Sequence, residues 1–174
     1  MNYVKVTSPD VNNGVGNRVT LWVSGCTHNC KGCHNKWLQD YTKGKPLSEA
    51  KDKIYEALSH SYIKGLTVSG GDPLDQDNES LKELYNLLSE IRKDFPDKDI
   101  WLFSGFTFNE IFNDNYSKIN QQKIILLVDY FVDGKFVADL KDVRLPFRGS
   151  SNQKIWKNNG NGSFEIVDDE YFKN

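Results

Sequence analysis

The sequence has 174 residues, a length that suits one domain with a sizeable hydrophobic core. Hydrophobic residues make up 38% and charged residues 26%, and the net charge of −2 provides no basic surface for nucleic acid. No apolar run approaches the roughly 18 residues that span a bilayer. Because residues 1–5 also lack the pattern of a secretory signal, we expect a cytoplasmic protein that binds neither nucleic acid nor membrane.

The first predicted elements lead into a cysteine-rich segment. Residues 3–6 alternate weakly and predict a strand, and the Asn- and Gly-rich residues 12–17 predict a loop. Residues 18–23 are rich in β-forming side chains and predict a core strand. This strand runs directly into residues 24–35, named here the cysteine loop. Proteins of the α/β class commonly carry their active sites at such strand ends.

Helical and strand patterns then alternate. Residues 46–48 introduce a predicted helix with Ser48 as its N-cap, and its apolar face is formed by Ala50, Ile54, Ala57 and Leu58. Residues 65–69 predict a short apolar strand. A leucine-rich stripe predicts a helix over residues 81–95, ended by Pro96.

The remaining elements complete an α/β pattern. Residues 100–103 predict a buried strand, residues 107–110 a capping box that starts a short helix, and residues 124–128 a further apolar strand. The tail from residue 154 predicts a short hairpin around an Asn- and Gly-rich turn. We therefore predict a single α/β domain over residues 1–174 with a mostly parallel sheet.

All three cysteines lie within eight consecutive residues as C-x3-C-x2-C: Cys26, Cys30 and Cys33. Thiolates gathered so closely repel one another and oxidise readily, so the pattern indicates a metal site. A four-iron cluster needs one ligand for each iron. Three cysteines leave one iron with an open position, which favours chemistry at that iron over simple electron transfer.

A zinc site is the main alternative, with His28 or His34 joining the three cysteines. Structural zinc sites usually join two ligand pairs across a longer spacer, whereas here one loop carries every candidate and the third histidine is the distant His60. The spacing therefore favours iron–sulfur, and zinc stays open. A disulfide is disfavoured by the odd number of cysteines.

Two other segments have ambiguous composition. Residues 69–73, Ser-Gly-Gly-Asp-Pro, would let a ligand approach the backbone, and Asp72 could accept a hydrogen bond from a cationic amine; an ordinary strand-to-helix turn is the alternative. Residues 146–153 would bind a carboxylate or a partner peptide through Arg148, or form a surface turn. Arg18 could likewise have either a binding role or a purely structural one.

In these residues the chain resembles the anaerobic ribonucleoside-triphosphate reductase-activating proteins, which are small radical SAM enzymes. C-x3-C-x2-C alone indicates the superfamily, and the Asp-Gly-Lys-Phe and Arg-Gly-Ser-Ser-Asn-Gln segments are more specific. The matching segments run nearly end to end, at residues 1–3, 13–16, 24–35, 69–74, 98–101, 132–137 and 147–153.

The resemblance implies that Cys26, Cys30 and Cys33 hold a [4Fe-4S] cluster. S-adenosylmethionine would bind the open iron through its amino and carboxylate groups. By the same likeness, Gly32, Cys33 and His34 would lie beside this cofactor, although His34 stands where many members carry tyrosine.

The same resemblance implies that Gly70, Gly71 and Asp72 receive the methionine amine, and that the fold is an incomplete (β/α) barrel. Reductive cleavage of S-adenosylmethionine would give a 5′-deoxyadenosyl radical, which would take a hydrogen from a glycine in the large subunit of the reductase. The electron would come from a low-potential donor such as a flavodoxin-like protein. Because so short a chain closes little barrel, we expect the partner's glycine loop to complete the cavity.

Three hypotheses about function therefore remain. The first is activation of the anaerobic reductase, and the second is activation of another glycyl-radical enzyme or another small radical SAM reaction. The third is a zinc-stabilised binding module without catalysis.

Overall fold

A computed structural model describes residues 1–113 and 117–173 of the chain. Within these ranges, eight strands form one sheet and four α-helices pack against it. The strands are β1 (Asn2–Asp10), β2 (Arg18–Val23), β3 (Lys45–Pro46), β4 (Gly65–Gly70), β5 (Asp99–Phe103), β6 (Tyr130–Asp133), β7 (Lys154–Asn158) and β8 (Phe164–Val167). The helices are α1 (Lys51–Leu58), α2 (Asn78–Asp94), α3 (Phe108–Phe112) and α4 (Ile119–Leu127).

The strand order is β3-β1-β2-β4-β5-β6-β7-β8. The four central strands, β2, β4, β5 and β6, are parallel. The outer strands pair antiparallel, with β1 and β3 on one side and the β7–β8 hairpin on the other. The α/β prediction is confirmed, and the parallel arrangement holds for the central strands. Their carboxyl ends therefore meet at one edge of the sheet.

The sheet has two different faces because side chains alternate along each strand. One face, which includes Leu66 and Leu102, joins a hydrophobic cluster to which all four helices contribute. The other face carries Trp101 and Val132, which pack with residues of the β7–β8 hairpin in a second cluster. The helices thus cover one face, and the second face borders the cavity described below.

Two sequence predictions are wrong. Residues 124–128 were expected to form a strand, but Ile124 and Ile125 belong to α4, and the strand is β6, which begins at Tyr130. A short run of apolar residues fits a buried helix as well as a strand, and here it packs among the helices. Ser48 is not the N-cap of α1, because it lies within a 3-10 turn over Leu47–Ala50 that precedes the helix.

The other element predictions are confirmed. Helix α2 buries its leucine stripe and ends just before Pro96, and Asp77 caps it by accepting a hydrogen bond from Ser80 N. The capping box of α3 forms between Thr107 and Glu110. None of the helices in the described ranges is long and apolar enough to cross a bilayer.

Arg18 has a structural role in the sheet. Its side chain is buried, its Nη2 lies 2.6 Å from Asp99 Oδ1, and its Nε donates to Thr67 Oγ1 at 2.7 Å. Nη2 also donates to the carbonyl of Leu66 at 2.8 Å. Arg18 is the first residue of β2, and the cysteine loop follows the last residue of that strand. The guanidinium therefore lies far from the candidate metal centre.

Candidate metal centre

The cysteine loop leaves the carboxyl end of β2 and is held there by main-chain hydrogen bonds. Gly25 N donates to Leu38 O at 2.7 Å, and Cys26 N donates to Gln39 O at 3.1 Å. These bonds fix the first cysteine against the short 3-10 turn that follows the loop. The prediction that the loop lies at the carboxyl edge of the sheet is confirmed.

The end of β4 joins this loop through a close approach of two backbones. Gly71 N donates to Val23 O and Asp72 N donates to Gly25 O, both at 2.8 Å. A Cβ on Gly71 would lie 2.5 Å from Gly25 O, and Gly70 has a φ of +120°. Glycine is therefore required at position 71 because a side chain has no space there, and at position 70 because the backbone has a positive φ.

The three cysteines border one cavity. Cys26, Cys30 and Cys33 are free thiols of intermediate exposure, and all three line a space of about 450 Å³. The cavity also receives side chains from the second face of the sheet, such as Trp22 and Phe103. Its lining also includes Phe136, Phe147, Arg148 and Gln153.

The three cysteine sulfurs are not gathered within 4.8 Å of one another. In residues 1–113 and 117–173, the set whose ligand atoms all approach within 4.8 Å of one another is Cys26, His28 and Asp75, not the three cysteines. A single zinc ion with ligands at about 2.0–2.3 Å would need its sulfurs closer together. Three separated thiols around an open cavity suit the three-cysteine ligation of an iron–sulfur cluster.

The surroundings of Cys26 favour its protonated form when no cation is near. Burial, with smaller contributions from the negative charges of Asp72 and Asp75, raises the pKa of this thiol to about 12. A bound metal stabilises the thiolate, so loading this site is coupled to the release of a proton.

Asp72 is the centre of a hydrogen-bond network. Its side chain is buried, and Oδ2 accepts from Gly105 N at 2.8 Å and from Ser104 Oγ at 3.0 Å. The same oxygen lies 2.7 Å from His28 Nε2, and Oδ1 accepts from Leu74 N at 2.9 Å. Both carboxylate oxygens are thus already engaged by groups of the chain itself.

Three of the four remaining predicted site residues, His34, Gly70 and Gly71, line the same cavity, and Gly32 lies outside its lining. His34 lines it and is exposed, so its side chain is free to meet a ligand. Gly32 lies beside the segment that follows β6, since a Cβ there would be 3.5 Å from the ring of Phe136. Gly70 and Gly71 line the cavity as well, and Gly70 O accepts from Asn35 Nδ2 at 3.2 Å.

The segment over residues 146–153 is braced rather than free. Gln153 Oε1 accepts from Gly149 N at 3.0 Å and Ser150 N at 3.1 Å, while Gln153 Nε2 donates to Gly134 O at 2.9 Å. Arg148 pairs with Asp169 at 2.5 Å. The segment therefore forms a fixed wall of the cavity.

Two residues that support the site were missed by sequence reasoning. Gln76 Nε2 donates to the carbonyls of Ser24 at 3.0 Å and Asp72 at 2.9 Å, tying the loop to the end of β4. Asp75 Oδ2 accepts from Thr27 Oγ1 at 2.7 Å. The available signal was their position directly after the Gly-Gly-Asp-Pro-Leu segment.

Comparison with known proteins gives consistent matches over most of the chain. A profile of the family described as 4Fe-4S single cluster domain matches residues 12–156, which include the cysteine loop. The anaerobic ribonucleoside-triphosphate reductase-activating protein of Escherichia coli (strain K12) is 41% identical over 158 residues, covering 89% of this chain and 97% of that protein.

Two further relatives carry the same name. The protein of Pasteurella multocida (strain Pm70) is 41% identical over 160 residues, covering 90% of this chain and 98% of its own length. The protein of Enterobacteria phage T4 is 39% identical over 159 residues, with coverages of 91% and 95%. These matches and the three-cysteine loop support an iron–sulfur cofactor.

Proposed function

The chain belongs to the family of anaerobic ribonucleoside-triphosphate reductase-activating proteins, and we propose that it generates a glycyl radical on the large subunit of such a reductase. The observation that carries the proposal is the meeting of three half-buried thiols and the Gly70–Gly71 turn at one cavity. The sequence similarity supplies the reaction partner.

Cys26, Cys30 and Cys33 would hold a [4Fe-4S] cluster and leave one iron without a protein ligand. With S-adenosylmethionine bound, the cluster would supply one-electron cleavage to methionine and a 5′-deoxyadenosyl radical, which takes a hydrogen from the glycine. Because S-adenosylmethionine would bind directly to the open iron, the electron transfer to it would be effectively unimolecular. The three cysteines are the catalytic residues in this proposal, acting through the cluster.

The chain's own residues would orient the cofactor. Gly32, Cys33 and His34 would lie along one side of S-adenosylmethionine, and the Gly70–Asp72 segment would receive its methionine amine. Because the Asp72 carboxylate is already engaged by four groups of the chain, the amine would meet main-chain carbonyls of this segment. A cation bound by carbonyl oxygens at a turn of this kind needs close backbone approach, which glycine allows.

The partner and the shape of the fold belong to the same proposal. We infer a single radical SAM domain over residues 1–174, in which the sheet acts as an incomplete (β/α) barrel. The open cavity between the cysteine loop and the wall over residues 146–153 would receive the glycine loop of the reductase, which excludes water from the radical. A low-potential donor such as a flavodoxin-like protein would reduce the cluster.

Anaerobic reconstitution tests the proposal. The protein is loaded with iron and sulfide, reduced with dithionite, and mixed with S-adenosylmethionine and the large reductase subunit. We expect 5′-deoxyadenosine by chromatography and a glycyl-radical signal by electron paramagnetic resonance, and Cys30→Ala should lose both while keeping its far-UV circular dichroism. A zinc-stabilised binding module would give neither product, and general unfolding of Cys30→Ala would contradict the proposed role.

The role of the partner in completing the cavity has its own test. A short peptide that contains the reductase glycine should accept the radical poorly compared with the whole subunit, because it leaves the cavity open to solvent. The measurement is radical yield per 5′-deoxyadenosine formed. Equal yields from peptide and whole subunit would count against a cavity shared between the two proteins.

A further inference from the structure

The spacer between the first two cysteines is attached to the sheet through one side chain, His28. Its imidazole is almost fully buried, with 7% of the side chain exposed, although it lies on a loop at the edge of the fold. The ring packs edge-on against Phe106, with 4.8 Å between ring centroids. Its Nε2 lies 2.7 Å from Asp72 Oδ2.

Asp72 connects this imidazole to two strands of the parallel sheet. The residue follows β4, and its Oδ2 also accepts hydrogen bonds from Ser104 and Gly105, which follow β5. Its side chain is 1% exposed, so water cannot replace a lost partner. A buried carboxylate that loses a donor is strongly destabilised, which makes the arrangement rigid.

The space around His28 is filled on the side of Gly105. A Cβ on Gly105 would lie 2.3 Å from His28 Cδ2, so the imidazole rests directly on the main chain after β5. His28 lies between Cys26 and Cys30, so these contacts restrain the main chain that joins the two cysteines.

We propose that His28 is a positioning residue that holds the Cys26–Cys30 spacer in its ligating arrangement through its hydrogen bond to Asp72. Asp72 then serves the site by anchoring this histidine rather than by contacting S-adenosylmethionine with its carboxylate. This inference rests on the iron–sulfur cofactor of the proposed function. It gives one structural reason for an aspartate in the turn after β4 and for a histidine inside the C-x3-C spacer.

Two substitutions of similar volume separate the hydrogen bond from packing. His28→Gln keeps an N–H donor near the position of Nε2, and His28→Leu keeps apolar contact with Phe106 but donates nothing. His60→Leu is the matched control, because His60 is exposed and, in the described part of the chain, its ring stacks on Tyr62. Each full-length protein is reconstituted anaerobically, and a chelator of ferrous iron is added while loss of the cluster absorbance is followed.

We expect His28→Leu to lose its cluster about 10- to 100-fold faster than the unmodified chain, the range found when residues that orient metal ligands are replaced. His28→Gln and His60→Leu should stay within a few-fold of the unmodified rate. The resonance of the reduced cluster should also change on addition of S-adenosylmethionine in the unmodified chain and in His28→Gln, and should change less in His28→Leu.

The outcomes decide the proposal. Equal rates for His28→Leu and the unmodified chain would overturn it, and so would a His28→Gln protein as labile as His28→Leu. If His28→Leu does not fold, Gly105→Ala provides the second test. The added Cβ must displace the imidazole of His28, so this variant should also lose its cluster faster. A rate equal to that of the unmodified chain would overturn the proposal. Failure of the unmodified chain to take up a cluster would instead refute the proposed function.

Discussion

The substitution Gly71→Ala tests the close approach between the end of β4 and the cysteine loop. The new Cβ would lie 2.5 Å from Gly25 O and 2.8 Å from Leu38 O, both main-chain atoms that cannot turn aside. The backbone must therefore move, which costs about 1–3 kcal/mol for an overpacked site. The bonds from Gly71 N to Val23 O and from Asp72 N to Gly25 O weaken with it, each worth about 0.5–1.5 kcal/mol.

Together these effects predict a loss of about 2–4 kcal/mol in the free energy of unfolding of the metal-free chain, measured by urea denaturation under reducing conditions. Iron and sulfide uptake should fall as well, because Gly25 directly precedes the first cysteine. Gly149→Ala is the control, because the nearest neighbours of its Cβ would be side-chain atoms that can shift, of Phe136 at 3.0 Å and of Gln153 at 3.7 Å. Equal stability of the two variants, or a loss below about 1 kcal/mol for Gly71→Ala, would refute the reasoning.

Two further predictions concern the scaffold. Arg18→Met leaves Asp99, whose side chain is 19% exposed, without its cation, so urea unfolding should report a loss of about 1.5–3 kcal/mol, the range for a hydrogen bond to a charged group. A neutral result would contradict a structural role for Arg18. Asp77→Ala removes the α2 cap and should cost about 0.5–2 kcal/mol at pH 7. The hydrogen bond from Ser80 N lowers the pKa of Asp77, so the difference between the two proteins should fade as pH falls below about 4; a difference that persists at lower pH would contradict this.

Sequence reasoning succeeded where local patterns and topology are sufficient. The cysteine loop follows a β-rich run, and parallel strands end at one edge, so its meeting with Gly70 and Gly71 could be predicted. The capping box at Thr107 and the C-terminal hairpin depend only on nearby residues, and both are confirmed. The error over residues 124–128 arose because an apolar run without a period does not distinguish a strand from a buried helix.

The partners of Asp72 could not be predicted in the same way. A carboxylate in a Gly-Gly-Asp-Pro turn suggests an acceptor for a cationic ligand, and nothing local to it contradicts this. Its actual neighbours, His28 and Ser104, come from two other segments and depend on the register of β4 beside β5. Arg18 presents a similar case, since its ion pair with Asp99 joins strands that are distant in the sequence.

The identity of the metal in the active protein tests the central claim most directly. We predict that anaerobically purified protein contains about four iron and four sulfide ions per chain, and that the resonance of its reduced cluster changes when S-adenosylmethionine is added. One zinc ion per chain, held by the three cysteines and a histidine in protein that still activates the reductase, would contradict the account.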